Sequence, residues 1–165
     1  MAPSFTIRPA APDDWPRLWP VVGPVIRAAD TYAYDPAATE PEARAIWMAP
    51  DKRVYLAGTD AGAALGTYYL RPNQGGPGSH VCNAGYMVAE AARGQGLGEA
   101  MCRHSLNEAR SQGYRAMQYN LVAATNAGAV RLWHRMGFAT VGTLPGAFRH
   151  PTEGFVDALV MFQTL

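Results

Sequence analysis

The chain has 165 residues, enough for one domain with a substantial core. Apolar residues make up 48% and charged residues 16%, and the 14 Lys and Arg are scattered in a chain of net charge +1, which excludes the basic field that drives nucleic-acid binding. No apolar run approaches the ~20 residues of a membrane span, and the first residues lack a basic head with an apolar stretch, so the expectation is a cytoplasmic protein with neither membrane nor nucleic acid as partner.

Alternating Phe5 and Ile7 predict a short first strand. Residues 12–29 carry a helical pattern in which prolines recur at Pro12, Pro16, Pro20 and Pro24. Pro12, and at the limit Pro16, suits a first turn, whereas Pro20 and Pro24 each delete an interior hydrogen bond, so a kinked or split helix is expected. Residues 30–40 read as a loop rich in tyrosine and turn formers, and residues 41–48 as a short helix with Pro41 near its start. Residues 54–57 and 63–70 form a predicted hairpin joined through Thr59, Asp60, Ala61 and Gly62. A glycine-proline loop over 72–79 leads into a central strand over 80–88.

Residues 93–98, Arg-Gly-Gln-Gly-Leu-Gly, follow that strand and open the most clearly patterned helix, 97–112. There Leu97, Met101, Cys102, Leu106 and Ala109 share one face with Gly98 and Ser105, while Glu99, Arg103, Asn107 and Arg110 share the other. Gly113 is placed to stop it. Met117, Tyr119 and Leu121 alternate as a strand, residues 126–136 form a helix stopped by Gly137, and 138–143 and 156–163 are the last strands. The order is β-α-α-β-β-β-α-β-α-β-β, without repeat or linker, and residues 1–165 are read as a single domain. Cys82, on a strand, and Cys102, on a helix's inner face, read as buried free thiols of a reducing compartment. His80, His104, His134 and His150 lack metal-ligand spacing with one another or with the cysteines, and no metal is expected.

A strand, a glycine-rich turn and a helix N-terminus together suit a phosphate or pyrophosphate, because the first helical amides have no internal partners and glycine lets the backbone approach the anion. A Walker loop would need a lysine that this turn lacks. A Rossmann turn would need a third glycine where Met101 stands and an earlier place in the chain. What remains is Arg-x-x-Gly-x-Gly at residues 93, 96 and 98.

On these residues the chain resembles the GCN5-related N-acetyltransferase (GNAT) superfamily, which binds acetyl-CoA with [Gln/Arg]-x-x-Gly-x-[Gly/Ala]. The resemblance extends to the element order and to Asn126 followed by Leu132-Trp133-His134-Arg135-Met136-Gly137-Phe138, which looks like the family's Asn-x6-Tyr-x3-Gly-Phe signature. A narrower resemblance covers mainly residues 80–138. There His80-Val81-Cys82-Asn83-Ala84-Gly85-Tyr86, Tyr119-Asn120-Leu121-Val122 and Thr125-Asn126 look like the fungal acetyltransferases that act on azetidine-2-carboxylate and proline analogues.

The resemblance implies an α/β (α+β) fold with a central mixed, mostly antiparallel sheet of six to seven strands flanked by about four helices. It implies acetyl-CoA as co-substrate, its pyrophosphate held by the amides of Gly94, Gln95, Gly96, Leu97 and Gly98. Arg93 adds charge there or is simply a solvated arginine. The backbone of Met87 and Val88 would pair with the pantetheine arm, and an amide there would stabilise the oxyanion. Asn126 is carried over as a pantetheine contact, beside its reading as a helix N-cap.

The implied chemistry is direct transfer to a neutral amine, with two proton movements. Trp133 stands where the family's tyrosine acid is usual, and an indole does not protonate a thiolate usefully; core packing is its other reading, and water the other acid. Residues 80–88 contain no carboxylate, and Glu90 reads either as a base or as a solvent-facing side chain. Asn83 and Asn120 resemble the subgroup's asparagines and are assigned to catalysis as groups that orient substrate and a bridging water; hydrogen bonding between adjacent strands is the alternative. Alternation sets Cys82 opposite Asn83, which disfavours an acyl-cysteine route. Thr31, Tyr32 and Tyr34 lie on the loop that walls the family's acceptor pocket, made adaptable by the kinked helix. Phe148, Arg149 and His150 lie between the last strands, where Arg149 pairs with a substrate carboxylate or is a solvated loop arginine. The expected activity is acetyl transfer to the amine of a small molecule, an amino acid or proline-like analogue. Acetylation of a protein N-terminus or lysine, and a non-catalytic acyl-CoA sensor, are the alternatives. A homodimer is expected at the level of the family.

Overall fold

The computed structural model describes residues 5–59 and 62–165, so Asp60 and Ala61 of the predicted hairpin turn lie outside the described residues. The elements follow the predicted order: β1 (Thr6–Pro9), α1 (Trp15–Ala28), α2 (Glu40–Trp47), β2 (Arg53–Gly58), β3 (Ala64–Pro72), β4 (Val81–Val88), α3 (Leu97–Ser111), β5 (Ala116–Ala123), α4 (Ala127–Arg135), β6 (Ala139–His150) and β7 (Gly154–Thr164). The seven strands form one sheet in the order β1-β2-β3-β4-β5-β7-β6. Among the described residues only β4 and β5 pair in parallel; the other neighbours are antiparallel.

Strand residues alternate between faces, and both faces of this sheet are apolar, so both must be covered. Val54, Leu56, Tyr69 and Met87 pack with the buried side of α1 and α2, through Leu18, Val22 and Trp47. Tyr55, Tyr68, Cys82, Ala84 and Met117 face the other way, onto Met101, Cys102 and Leu106 of α3. Helix α4 adds Trp133 to that second layer.

Helix α1 departs from the expected split: it runs unbroken through Pro20 and Pro24. Spacing explains this. Pro12, Pro16, Pro20 and Pro24 recur every four residues and all lie on the exposed side. The carbonyls freed by the missing N–H groups therefore lie on the solvent side, while Leu18, Val21, Val22, Val25 and Ile26 bury the opposite stripe. Tertiary burial outweighs the local cost.

Strand β6 is the second departure. It continues past residue 143 to His150, with Phe148, Arg149 and His150 paired to Val156, Phe155 and Gly154. Pro145 and Gly146 do not end the strand; they are absorbed in a register shift between Leu144 and Phe148, where the Gly146 amide donates to Asp157 Oδ1 at 3.0 Å. Arg149 consequently sits on a strand rather than on a loop.

Strands β4 and β5 pair only at Val81 with Ala116 and Cys82 with Met117. Beyond that step they part, and among the described residues no strand lies beside the rest of the β4 edge, residues 83–88, on the β5 side. This fork is the main departure from a regular sheet, and the cleft opens at it.

Candidate active site

A cavity of about 760 Å³ runs through the fork, from the N-terminus of α3 to the loop between α1 and α2. Three groups of residues divide it.

At the α3 end stands the glycine-rich turn. Gly94 and Gly96 have φ of +74° and +84°, left-handed values that leave glycine as the low-cost choice. Among the described residues, the backbone amides of residues 94–99 donate to no carbonyl, and the first helical bond into this turn runs from Ala100 to the Gly96 carbonyl at 3.0 Å. A row of unpartnered amides at the positive end of a 15-residue helix suits an anion. Arg93, Gly94, Gly96, Leu97 and Gly98 line the cavity. Gln95 does not; its side chain turns back and donates to the Ala91 carbonyl at 2.8 Å, bracing the turn. Any contact from Gln95 is therefore through its backbone.

Asn126 lines the cavity across from this turn and also caps α4, its Oδ1 accepting from the Ala129 amide at 3.4 Å. The two readings of this residue are compatible in one geometry.

In the middle, Met87 and Val88 line the cavity from the free edge of β4. Tyr86, on the opposite face from Met87, bonds through its hydroxyl to Ser105 (2.7 Å) and Tyr119 (2.9 Å). Trp133 packs on both rings, at centroid distances of 4.9 and 5.1 Å. The core reading of Trp133 thus holds, though its edge reaches the cavity. Burial pushes the phenols of Tyr86 and Tyr119 well above their ordinary range, so both stay protonated. This pair is absent from the sequence-based expectations; the period-2 pattern of 82-84-86 and 117-119 is the signal that could find it. Glu90 is exposed and outside the lining.

The third region lies under the α1–α2 loop. Thr31, Tyr32 and Tyr34 all line it. Tyr32 stacks on Tyr34 at 5.3 Å, meets Trp47 edge-on at 6.1 Å, and donates to the Tyr86 carbonyl at 2.8 Å. Gly85 makes this approach possible, since a Cβ there would come within 2.9 Å of the Tyr32 hydroxyl and 2.7 Å of the Tyr69 ring. Asn83 and Asn120 line the same region. Asn83 Oδ1 accepts from the Tyr69 hydroxyl at 3.1 Å and from Arg71 Nε at 3.4 Å. Asn120 accepts from Gln118 Nε2 at 3.0 Å and donates to Asn73 at 2.7 Å. Asn83 therefore bonds across to β3, whereas Asn120 bonds within β5 and to the loop that follows β3, and neither asparagine bonds the other. Cys82 lies on the opposite sheet face, buried, its thiol pushed up to about 12 by burial, and Cys102 is pushed up to about 11. Both are unsuited to attack as thiolates.

Arg149 is not brought to the cleft. It is exposed on β6, opposite Phe155, and the cation that lines this region among the described residues is instead Arg71. Alternation with Tyr69 on β3 puts Arg71 on the Asn83 side of the sheet; the strand pairing that brings it opposite Asn83 has no local sequence signal. Among the described residues no three His, Cys, Asp or Glu side chains converge as a metal site, and no helix is long and apolar enough to cross a membrane.

The acetyltransferase (GNAT) family model matches residues 19–138. The N-acetyltransferase aca1 of Schizosaccharomyces pombe is 38% identical over 97 residues, which is 58% of this chain and 46% of the yeast protein. The chain thus spans about half the length of that curated relative. A GCN5-related N-acetyltransferase from Kribbella flavida shares 43% identity, with a TM-score of 0.92 over 98% of both chains. The fold is also that of yncA from Salmonella typhimurium, solved with its cofactor acetyl-CoA, at 21% identity and a TM-score of 0.80 over 98% of this chain and 94% of that one.

Proposed function

The chain belongs to the acetyltransferase (GNAT) family, and from that premise we propose that it moves an acetyl group from acetyl-CoA directly to the amine of a small molecule, an amino acid or proline-like analogue. The observation that carries this reading is the fork between β4 and β5 with the unpartnered α3 amides at its mouth. The donor set fits acetyl-CoA. Free amides of residues 94–98 suit a pyrophosphate, with Arg93 on the rim. The unpaired β4 edge over residues 83–88 suits an amide-bearing arm that adds as a strand. The names of the yeast and Kribbella relatives support an amine as the acceptor.

In the proposed reaction the neutral amine nitrogen attacks the thioester carbon. The new C–N bond forms, a β4 amide stabilises the developing oxyanion, and the C–S bond breaks with its electron pair leaving on sulfur. The amine gives one proton to water, and the thiolate receives one. Asn83 and Asn120 orient substrate and water in this scheme, since a carboxamide is not a base. With Trp133 in the acid position, and with burial making the Tyr86 and Tyr119 phenols poor acids, protonation of the thiolate falls to water.

The test is CoA release with acetyl-CoA and a panel of amino acids, proline analogues, simple amines and peptides. An amino-acid-like amine that raises release well above hydrolysis supports the reading. Preference for a peptide moves the acceptor to protein. Tight CoA binding with no amine-dependent release leaves a sensor module instead.

A further inference from the structure

The acceptor end of the cavity carries one more assignment, which rests on the transferase reading above. Among the described residues, the charged ones that line the cavity are Asp30, Arg71, Arg93, Glu99 and Arg135. Arg93, Glu99 and Arg135 belong to the α3–α4 mouth, where Arg135 and Glu99 stand 3.8 Å apart and Glu99 also pairs with Arg103 at 2.9 Å. Arg71 stands at the other end, on β3, directly opposite Asn83.

Its guanidinium is only partly committed. Nε reaches Asn83 Oδ1 at 3.4 Å, and Nη1 meets Asp51 at 3.6 Å. The Asp51 side chain is 55% exposed, so this long single contact is a weak, screened pairing. Nη2 has no partner among the described residues. A second cation stands close by: Lys52 Nζ lies 4.5 Å from the centre of the Tyr69 ring. Burial, then the nearby Arg71 charge, lowers Lys52 to about 8. Tyr34, Tyr69, Asn83 and Asn120 line the surface beside these charges, and Asp30 lines the same cavity from the start of the α1–α2 loop. A planar fork with free N–H groups beside aromatic rings matches a carboxylate carried on a small organic body.

We propose that Arg71 is the carboxylate-binding residue of the acceptor site, so that the acceptors are amino or imino acids rather than simple amines. Arg71 sits opposite Asn83, three residues along β4 from Tyr86, which is roughly 10 Å at ~3.3 Å per residue. The arginine side chain and a small amino acid together bridge that distance. Asn83 orients the guanidinium by accepting its Nε–H, and Asp51 competes with the substrate for it.

The experiment uses matched acceptors with saturating acetyl-CoA: an imino or amino acid, its carboxamide and its decarboxylated amine. The wild-type protein should favour the acid over the carboxamide by about tenfold or more in kcat/KM. Arg71→Gln should collapse that preference, mainly through KM for the acid, with little change in KM for acetyl-CoA. Asp51→Asn, which removes the competing carboxylate, should strengthen it. Equal turnover of acid and carboxamide by the wild-type protein, or a preference that survives Arg71→Gln, overturns the assignment while leaving the transferase reading intact. If Arg71→Gln does not fold, Asp51→Asn decides alone, and an unchanged acid preference overturns the assignment. Release that no amine stimulates removes the transferase reading, and this assignment with it.

Discussion

The Asn83 side chain bridges the two strands at the point where they part: its Nδ2 donates to the Gln118 carbonyl at 2.9 Å, one residue beyond the last paired step, Cys82 with Met117. The bond stands in for a ladder bond that the diverging backbones no longer make. Asn83→Ala should therefore loosen the fork and leave the buried Tyr69 hydroxyl without its acceptor. The expected cost is about 1–3 kcal/mol, read by urea denaturation. Acceptor kcat/KM should fall with it, while KM for acetyl-CoA, set mostly at the α3 end, changes little. A variant that loses acetyl-CoA binding alone would contradict this division.

Gly85 and Tyr32 form a second coupled pair. An alanine at residue 85 would bring Cβ to 2.7 Å from the Tyr69 ring and 2.9 Å from the Tyr32 hydroxyl, so both rings must shift. Gly85→Ala should destabilise by about 1–3 kcal/mol and raise acceptor KM by displacing the aromatic wall. Tyr32→Phe removes only the bond to the Tyr86 carbonyl, for about 1 kcal/mol. The two together should cost less than their sum, because loss of the Tyr32 hydroxyl removes one of the two close contacts of the new methyl, while that with Tyr69 remains. A double-mutant cycle in denaturant measures that coupling.

How much of the fold and site is legible in the sequence depends on the range of the interaction. The glycine turn, Leu97 with Met101 and Cys102 on one helical face, and the opposite facing of Cys82 and Asn83 are local patterns, and the structure has them as the sequence predicts. The unbroken α1 escapes local propensity, which counts Pro20 and Pro24 as breaks, whereas their shared exposed stripe is the relevant fact. Arg149 is misplaced by sequence reasoning because Pro145 and Gly146 look like a strand end but sit in a bulged stretch of β6. Arg71 escapes it because its role depends on pairing opposite Asn83, and that register has no local signature.

Asp14 ties β1 to the start of α1. It accepts from Arg8 at 2.7 and 2.8 Å, from Arg17 at 3.2 Å and from the Ala11 amide at 2.8 Å. The Arg8 bonds hold its carboxyl well below the usual range, against the opposing effect of burial. Asp14→Asn should cost roughly 2 kcal/mol at neutral pH. A carboxylate depressed in the folded state contributes fully above its unfolded value, near 4, and the contribution is lost as pH falls below that. The gap in stability between wild type and Asp14→Asn should accordingly be constant from about pH 5 upward and narrow towards pH 3. Urea titrations at pH 7 and pH 3 measure it, and a gap that widens in acid would contradict the assignment.

The glycines of the turn separate stability from binding. Gly96 caps α3 at φ +84°, and a Cβ there meets open space, so Gly96→Ala is opposed by backbone conformation alone. The cost should be about 1–2 kcal/mol. Gly98 lies in the first turn of the helix, outside the left-handed region, and its Cβ would make an ordinary 3.4 Å contact with Leu132. Gly98→Ala should leave stability unchanged or raise it by up to about 1 kcal/mol. Both positions line the cavity, so both variants should weaken acetyl-CoA, by about tenfold or more if the backbone approaches the pyrophosphate closely at each. Lost thermal stability in Gly96→Ala but not in Gly98→Ala, with a raised acetyl-CoA KM in both, is the expected signature. Weakened binding in Gly96→Ala alone would mean that only the turn, and not the first helical residues, touches the anion.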